Sequence, residues 1–233
     1  MKPVLQLDRR GAVVLLTLDR PERRNALNGQ LREALQSAFH QIGADEAVRA
    51  LVITGTDPAF CAGLDLGEVA EAIPDLEPDD MMDALEALRI PIVAAVNGPA
   101  VTGGLELMLA CDVVIASDRA KFADTHVRVG VHPGWGMTAA LPRLIGAARA
   151  RDLSLTGRFI DADTAERWGL VSRVVAHSQL LPEALNIAEA IAASERSVVE
   201  AIRDVYRGAV GASEDRERER TSFRHWRDAR RDV

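Results

Sequence analysis

The alternation of apolar and polar positions near the start of the chain predicts a sheet that begins at the N-terminus. Residues 4–8 and 12–18 alternate or run apolar with β-branched side chains, which indicates paired strands that turn near Gly11. Asn28 precedes a helical pattern whose apolar positions share one face: Leu31, Leu35, Ala38, Phe39 and Ile42. Residues 50–54 form another apolar, β-branched run. This strand–helix–strand order is typical of an α/β protein.

The same order recurs in the middle of the chain. Small residues around Ala62 and Gly63 allow a close backbone approach before a short helix that starts near Asp65. Residues 74–80 contain proline and acids, which indicates a loop, and residues 81–89 have the pattern of an amphipathic helix. Residues 121–136 consist of short extended pieces broken by Gly130 and Pro133, so their polar side chains are site candidates on loops.

The last third of the chain is mainly helical. Helices are predicted at residues 146–155, 161–168, 179–194 and 196–207, with a brief strand at 170–175. The final segment is a charged helix, and its Phe223 and Trp226, three residues apart, need a surface to pack on, such as a partner subunit. We therefore predict a core domain at residues 1–175 and a helical C-terminal region at residues 176–233 that serves trimerisation.

One acidic residue lies in strongly apolar surroundings. The stretch from Pro91 to Ser117 predicts a strand, a glycine-bearing turn, a helix and a second strand, and Glu106 lies on the helix among leucine and methionine residues. An unpaired buried carboxylate is costly and is retained for chemistry or for a specific partner. Gly103 and Gly104 precede it and can present backbone N–H groups to a polarised oxygen. The alternative is a tight turn that needs glycine, with Glu106 exposed.

Composition narrows the class of protein. The chain has 233 residues, is 48% hydrophobic, and contains no apolar run near the roughly 20 residues that span a bilayer. The N-terminus lacks the layout of a secretory signal, so we expect a cytoplasmic protein. Cys61 and Cys111 lie in apolar segments, which indicates packed thiols and no disulfide framework.

Charge argues against nucleic acid as the ligand. The net charge is -7 and only 4% of the residues are aromatic, so neither a basic footprint nor a set of stacking platforms is present. Arg20, Arg23 and Arg24 cluster near the first helix, where they either hold the phosphates of a compact ligand or form an exposed turn.

Common catalytic motifs do not fit. The run from Gly134 to Ala139 matches G-x-G-x-x-A, but it lies far from the N-terminal strand–helix–strand unit and no ribose-binding acid follows, so a nicotinamide site is rejected. P-loop, G-x-S-x-G and C-x-x-C motifs do not occur. Asp124, His126 and His132 have no common metal-ligand spacing, and no metal site is predicted.

Two turns and their contexts resemble the enoyl-CoA hydratase/isomerase (crotonase) superfamily. The match rests on FCAGLDL, Phe60 to Leu66, and NGPAVTGGLELMLACD, Asn97 to Asp112. The segments that follow the family order are RPERRNALN, ALVITG, PIVAAVNG, KFAD, PGWGMTAALPRLIG and LTGRFIDADTAERWGLVSRVV. The resemblance covers nearly the whole chain, and as a conjunction it is highly specific.

The resemblance implies a fold, a ligand and an assembly. The expected fold is α/β, a crotonase-like ββα spiral core with a helical C-terminal region, in trimers or dimers of trimers. The expected substrate is an acyl-CoA thioester, which carries its own coenzyme A, so no separate cofactor is expected. The backbone N–H groups of Leu64 and Gly103 match the family's oxyanion hole, a device worth about 3 to 4 kcal/mol per donor. Residues expected to contact coenzyme A are Arg23, Arg24, Ala26, Ala62, Leu64, Asp65, Leu66 and Gly103.

The acids decide the reaction that the resemblance implies. Glu106 matches one of the two glutamates of family hydratases, His126 stands at the position of the second, and Gly134 matches the glycine whose N–H holds the attacking water. Hydration needs an activated water and a proton for the substrate, and an imidazole titrates near neutrality. A 2-enoyl-CoA hydratase, a lyase, is expected first. The alternatives are an isomerase or other crotonase reaction, or an acyl-CoA-binding protein without turnover. The family's usual C-terminal tail is also absent, so the pocket is expected to be open there or covered by neighbouring subunits.

Overall fold

Parallel strands added one after another build the main sheet of the protein. The computed structural model describes residues 3–68, 80–209 and 212–231. Within these residues the strands are β1 Leu5–Arg10, β2 Val13–Leu18, β3 Ala50–Gly55, β4 Ile92–Val96, β5 Ala100–Val101, β6 Val113–Ser117, β7 Lys121–Ala123, β8 Ile160–Asp161 and β9 Arg173–Val175. The described strands form a six-stranded sheet in the order β1-β2-β3-β4-β6-β9 and a three-stranded sheet in the order β5-β7-β8.

The connections between the strands follow a spiral in which the chain alternates between the two sheets. β1 and β2 are antiparallel, whereas every later neighbour in the large sheet is parallel. The chain leaves β4, adds β5 to the small sheet, forms a helix, and returns to the large sheet as β6. It then adds β7 and β8 to the small sheet before it returns as β9. The expected α/β fold with a ββα spiral is confirmed.

The described helices, numbered in chain order, are α1 Gly29–Ala44, α2 Asp80–Ala87, α3 Gly103–Leu109, α4 His126–Val129, α5 Met137–Ile145, α6 Ala147–Thr156, α7 Ala162–Trp168, α8 His177–Ala192, α9 Arg196–Ala209 and α10 Ala212–Arg231. A short 3-10 helix at Pro21–Arg23 precedes α1. Residues 66–68 are helical, in agreement with the helix predicted from near Asp65. Residues 69–79, which include most of the predicted loop at 74–80, lie outside the described residues.

The first helix confirms the apolar pattern. Asn28 caps α1 because its side chain accepts a hydrogen bond from the backbone N–H of Leu31. The five predicted apolar positions of this helix are its buried residues. Together with α2 and α3 they cover one face of the large sheet and form the larger apolar cluster of the core. Helix α8 covers the opposite face, where Leu180, Ala184 and Ala188 pack on residues of β2, β3 and β4.

Two helices were missing from the sequence prediction. Residues 126–129 form one helical turn that ends at Gly130, which has a φ of 68°. Residues 137–145 form α5, whereas the first helix predicted in this part of the chain began at residue 146. The start of α5 is stabilised by carboxylates from distant parts of the chain, because the Met137 N–H points to Glu106 and the Thr138 N–H donates to Glu219. Local sequence contains neither partner.

The C-terminal helix packs on its own chain. Phe223 is buried, and the ring centroids of Phe223 and His132 lie 6.4 Å apart, whereas those of Trp226 and His132 lie 6.3 Å apart. An ion pair between Arg143 and Asp215 joins α5 to α10. The surface expected from a partner subunit is thus supplied by the same chain. The division at residue 176 stays a prediction. No described helix is long and apolar enough to cross a membrane.

Candidate active site

Backbone hydrogen bonds on both sides of Leu64 fix the conformation of the first glycine-bearing turn, residues 60–66. The Ala62 N–H donates to the Arg24 carbonyl at 3.0 Å, and the Asp65 N–H donates to the Leu27 carbonyl at 3.1 Å. Gly63 has a φ of 90°, a conformation that L side chains rarely adopt. Within the described residues the Leu64 N–H has no acceptor. That donor is therefore available to a ligand.

The second turn lies directly against the first. A Cβ atom on Gly63 would lie 3.1 Å from the Gly103 nitrogen, so a side chain there would separate the two turns. Gly103 is the first residue of α3, and its N–H has no acceptor in the described part of the chain. Thr102 before it has a φ of 53° and a ψ of −113°, an uncommon conformation for a β-branched residue. The predicted pair of donors, Leu64 and Gly103, is brought together.

The strained Thr102 is held by the strand that leads to His126. Its N–H donates to the Ala123 carbonyl at 2.9 Å, and its hydroxyl oxygen lies 2.5 Å from that of Thr125. The Thr125 N–H donates to the same Thr102 oxygen at 3.2 Å. The turn that presents Gly103 and the segment that carries the histidine are therefore one connected unit.

Glu106 is buried, with 2% of its surface exposed, and the alternative of an exposed glutamate is wrong. Its Oε1 accepts the Trp135 N–H at 3.0 Å and lies 3.4 Å from the Met137 nitrogen. Burial raises the pKa of Glu106 to about 7; the nearby His126 opposes this increase and the carboxylate of Glu219 adds to it. The residue therefore titrates near neutrality, where a general base is most effective.

His126 lies between two carboxylates. Its Nε2 is 3.7 Å from Oε2 of Glu106, and its Nδ1 is 2.6 Å from Oδ1 of Asp124. Burial disfavours the imidazolium, but the hydrogen bond to Asp124 and the charges of Glu106, Asp124 and Glu219 outweigh it and raise the pKa of His126. Burial likewise opposes the Asp124 carboxylate, and the hydrogen bond with His126 holds the pKa of Asp124 below its ordinary value. Both pKa shifts favour an ionised aspartate beside a protonated histidine.

These groups face a single cavity of about 100 Å³. Its polar lining combines the two turns with the acid/base pair, and its apolar wall is contributed by five side chains: Leu66, Val129, Val131, Trp135 and Phe223. Gly134, expected to hold a water, also lines the cavity, next to the backbone N–H that binds Glu106. Phe223 shows that the pocket is closed on this side by α10 of the same chain.

The expected coenzyme A contacts divide into two groups. Ala62, Leu64, Leu66 and Gly103 line the cavity. The others lie outside it: Arg23 and Arg24 are exposed on the adjoining turn, Ala26 is buried, and Asp65 forms an ion pair with Arg20 at 3.0 Å. The Arg20 side chain is therefore already paired with a carboxylate of the protein. The guanidinium groups of Arg23 and Arg24, next to the cavity turn, form no ion pair with any residue that the structure describes.

Sequence reasoning missed Asp124 and Glu219 as parts of the site. Asp124 stands two residues before His126, and this spacing was considered only as a metal motif; His132 instead bonds to the Pro133 carbonyl and to Ser222. Within the described residues no cluster of His, Cys, Asp or Glu is arranged to hold a metal. Glu219 is hidden in a run of alternating charges, and it accepts hydrogen bonds from Gly136 and Thr138 at 2.5 Å each.

The fold and the site define an α/β protein in which two backbone donors and a buried acid/base pair meet at one cavity. The family model described as Enoyl-CoA hydratase/isomerase matches residues 8–227. The chain therefore belongs to the enoyl-CoA hydratase/isomerase family, as the resemblance indicated.

Relatives and solved structures agree with this assignment. The chain is 46% identical over 189 residues to "Probable enoyl-CoA hydratase echA8" of Mycobacterium leprae, covering 79% of this chain and 74% of the relative. It is 41% identical to "Probable enoyl-CoA hydratase 1, peroxisomal" of Arabidopsis thaliana, covering 84% of this chain and 75% of the relative. The crystal structure of an enoyl-CoA hydratase from Mycobacterium avium superposes with a TM-score of 0.91 at 41% identity, covering 99% of this chain and 100% of that one. A monofunctional enoyl-CoA isomerase from M. smegmatis superposes with a TM-score of 0.80 at 35% identity, covering 91% and 96% of the two chains.

Proposed function

We propose that the protein is a 2-enoyl-CoA hydratase. The observation that carries the proposal is the cavity itself, which is lined by Leu64 and Gly103 and by the buried pair Glu106 and His126. The N–H groups of Leu64 and Gly103 have no acceptor among the residues that the structure describes. The two donors bind the thioester oxygen as it becomes an enolate, and the hole is available before the substrate arrives.

The residues take the following roles. Glu106 in its carboxylate form accepts a proton from a water that the Gly134 N–H helps to hold, and the water oxygen bonds to C3 of the enoyl group. The electrons of the double bond move onto the thioester oxygen held by Leu64 and Gly103. The His126 imidazolium supplies a proton to C2. Each role requires only groups that line the cavity.

Three further parts of the proposal concern the contacts with coenzyme A, the assembly of the protein and its location. No separate cofactor takes part, and coenzyme A would be contacted by the cavity residues Ala62, Leu64, Leu66 and Gly103 together with Arg23, Arg24, Ala26 and Asp65. Helix α9 carries an exposed apolar stripe of Val198, Ile202, Val205 and Tyr206, which supports a homotrimer or a dimer of trimers. We place the enzyme in the cytoplasm, with neither nucleic acid nor a membrane as partner.

The first test is a panel of CoA thioesters followed by mass spectrometry. Hydration adds the mass of one water and removes the absorbance of the conjugated thioester. Glu106→Gln should reduce kcat by about 10²- to 10⁴-fold, the usual contribution of an acid/base group, while a saturated acyl-CoA binds nearly as before. Glu33→Gln, on an exposed face of α1, is the matched control. Equal turnover by the Glu106 variant and the wild type would contradict the assignment of Glu106.

Two alternatives are separated by the same panel. The resemblance to an isomerase structure favours conversion of a 3-enoyl thioester into its 2-enoyl isomer without a change of mass. The histidine at the position of a family glutamate favours an acyl-CoA-binding protein, which would bind in a calorimeter and turn over none of the thioesters. In that case His126→Glu is expected to create hydratase activity.

A further inference from the structure

Asp124 is a buried acid that does not line the cavity. It directly follows β7, only 1% of its side chain is exposed, and the residues that line the cavity include His126 but not Asp124. An isolated carboxylate in such a place is costly, so its partner matters. Its main partner is His126, whose Nδ1 lies 2.6 Å from Asp124 Oδ1 and whose backbone N–H donates to the same oxygen at 3.3 Å. The side chain of Ser154 also favours the ionised form of Asp124.

The hydrogen bond decides which nitrogen of His126 faces the substrate. A carboxylate accepts only, so the Nδ1 atom carries the proton that it donates to Asp124. The other nitrogen, Nε2, is then directed toward Oε2 of Glu106 at 3.7 Å and toward the cavity. Without Asp124, either nitrogen could carry the proton, and the ring could turn about its bond to Cβ.

We propose that Asp124 is a positioning residue that orients His126 and stabilises its imidazolium, so that an Asp124–His126 pair acts as the second acid/base group of this enzyme. The proposal rests on the proposed hydratase reaction and deepens it. It also explains why a histidine can stand where family hydratases have a glutamate: the buried aspartate supplies the negative charge and the imidazole supplies the titrating proton.

The proton balance of the cycle is consistent with this arrangement. Water loses a proton to the Glu106 carboxylate as its oxygen bonds to C3, and His126 Nε2 loses its proton to C2 as the enolate collapses. The enzyme is left with a protonated Glu106 and a neutral His126. The proton then returns from Glu106 Oε2 to His126 Nε2, which lie 3.7 Å apart, and the starting charges are restored. Asp124 remains ionised throughout.

Asp124→Asn tests the proposal, because the amide keeps the shape and removes the charge. Histidine ¹⁵N NMR, with His126→Gln to identify the signal, reports the protonated nitrogen and the titration of His126. Three carboxylates face this imidazole, those of Asp124, Glu106 and Glu219. Loss of one adjacent opposite charge should lower the pKa of His126 by about one unit or more. An unchanged pKa and an unchanged Nδ1 proton would overturn the proposal.

Kinetics provide the second readout. If the imidazolium is required, activity falls as the pH rises through the pKa of His126, so this alkaline limb should move to lower pH in Asp124→Asn. A decrease of about one unit lowers the imidazolium fraction, and with it kcat on that limb, about tenfold. Binding of a saturated acyl-CoA should remain close to that of the wild type, and the melting temperature should fall by no more than a few degrees. A loss confined to binding or stability, or a lower kcat with an unmoved limb, would overturn the proposal.

The chain contains a matched control. Asp57 Oδ2 lies 3.0 Å from Nε2 of His177, an aspartate–histidine pair outside the cavity. Asp57→Asn should leave kcat and the pH profile unchanged, and an equal effect of both variants would refute a specific role for Asp124. If the wild type turns over none of the thioesters, the hydratase proposal fails, whereas the NMR experiment still decides whether Asp124 sets the proton position and pKa of His126.

Discussion

Glu106 is expected to lower the stability of the folded protein at alkaline pH, and Glu106→Gln should reveal this cost. The carboxylate is buried on α3, and its Oε1 accepts the Trp135 N–H at 3.0 Å. A glutamine has the same shape, and its side-chain oxygen can accept the same hydrogen bond. The substitution therefore removes the charge with little change in packing.

The magnitude follows from the pKa of this residue. Burial raises the pKa of Glu106 from its ordinary value of 4.5 to about 7. A raised acid pKa means that the folded state binds the proton more tightly than the unfolded state does. The contribution of Glu106 to the free energy of unfolding is therefore fully present below pH 4.5 and is lost as the pH rises to about 7. At about 1.4 kcal/mol per pH unit, the full loss is about 3 kcal/mol. The attraction between Glu106 and His126 is already contained in this pKa, and glutamine stands in for the uncharged acid, so we expect a gain of about 3 kcal/mol above neutral pH.

Urea unfolding at pH 5 and pH 8.5 measures this effect. Glu106→Gln should unfold at a higher urea concentration than the wild type at pH 8.5, and the difference should shrink at pH 5. Glu33→Gln on α1, which is exposed, should show no such dependence on pH. A variant that is equally stabilised at both pH values, or destabilised at pH 8.5, would refute the conclusion that the buried charge of Glu106 opposes folding.

Two further predictions concern the walls of the cavity. Gly103→Ala should fold but lose at least about tenfold in kcat/KM, because the new Cβ would lie 2.9 Å from the Trp135 ring and disturb an oxyanion donor. Gly104→Ala should instead fail to fold stably, because its Cβ would lie 2.2 Å from the Cys61 carbonyl oxygen. Circular dichroism together with steady-state kinetics distinguishes the two outcomes. Phe223→Ala should increase the ratio of kcat/KM for a long acyl chain to that for a chain two methylenes shorter by about tenfold, since each methylene contributes about 0.8 kcal/mol on burial. An unchanged chain-length preference would show that Phe223 does not limit the acyl pocket.

Local patterns predicted much of the fold because they act over a few residues. The Asn28 cap, the apolar face of α1 and the strands on both sides of it depend on side chains close together in sequence, and the structure confirms them. Of the two helices that were missed, α4 is a single turn with local hydrogen bonds, whereas α5 depends on partners far away. Helix α5 starts at a glycine in a left-handed conformation, and its first N–H groups bond to Glu106 and Glu219. No window of the sequence around residue 137 contains those carboxylates.

The sequence by itself determined the α/β class, the family, the two glycine-bearing turns and Glu106 as the central acid. These follow from short motifs, because glycine at a close approach and an acid among leucines are properties of a single segment. Only the tertiary structure decided that His126 lies between Glu106 and Asp124, that Glu219 holds the start of α5, and that Phe223 closes the cavity. These contacts join residues that are distant in sequence, and burial in the shared interior then sets the pKa values of the acid/base pair.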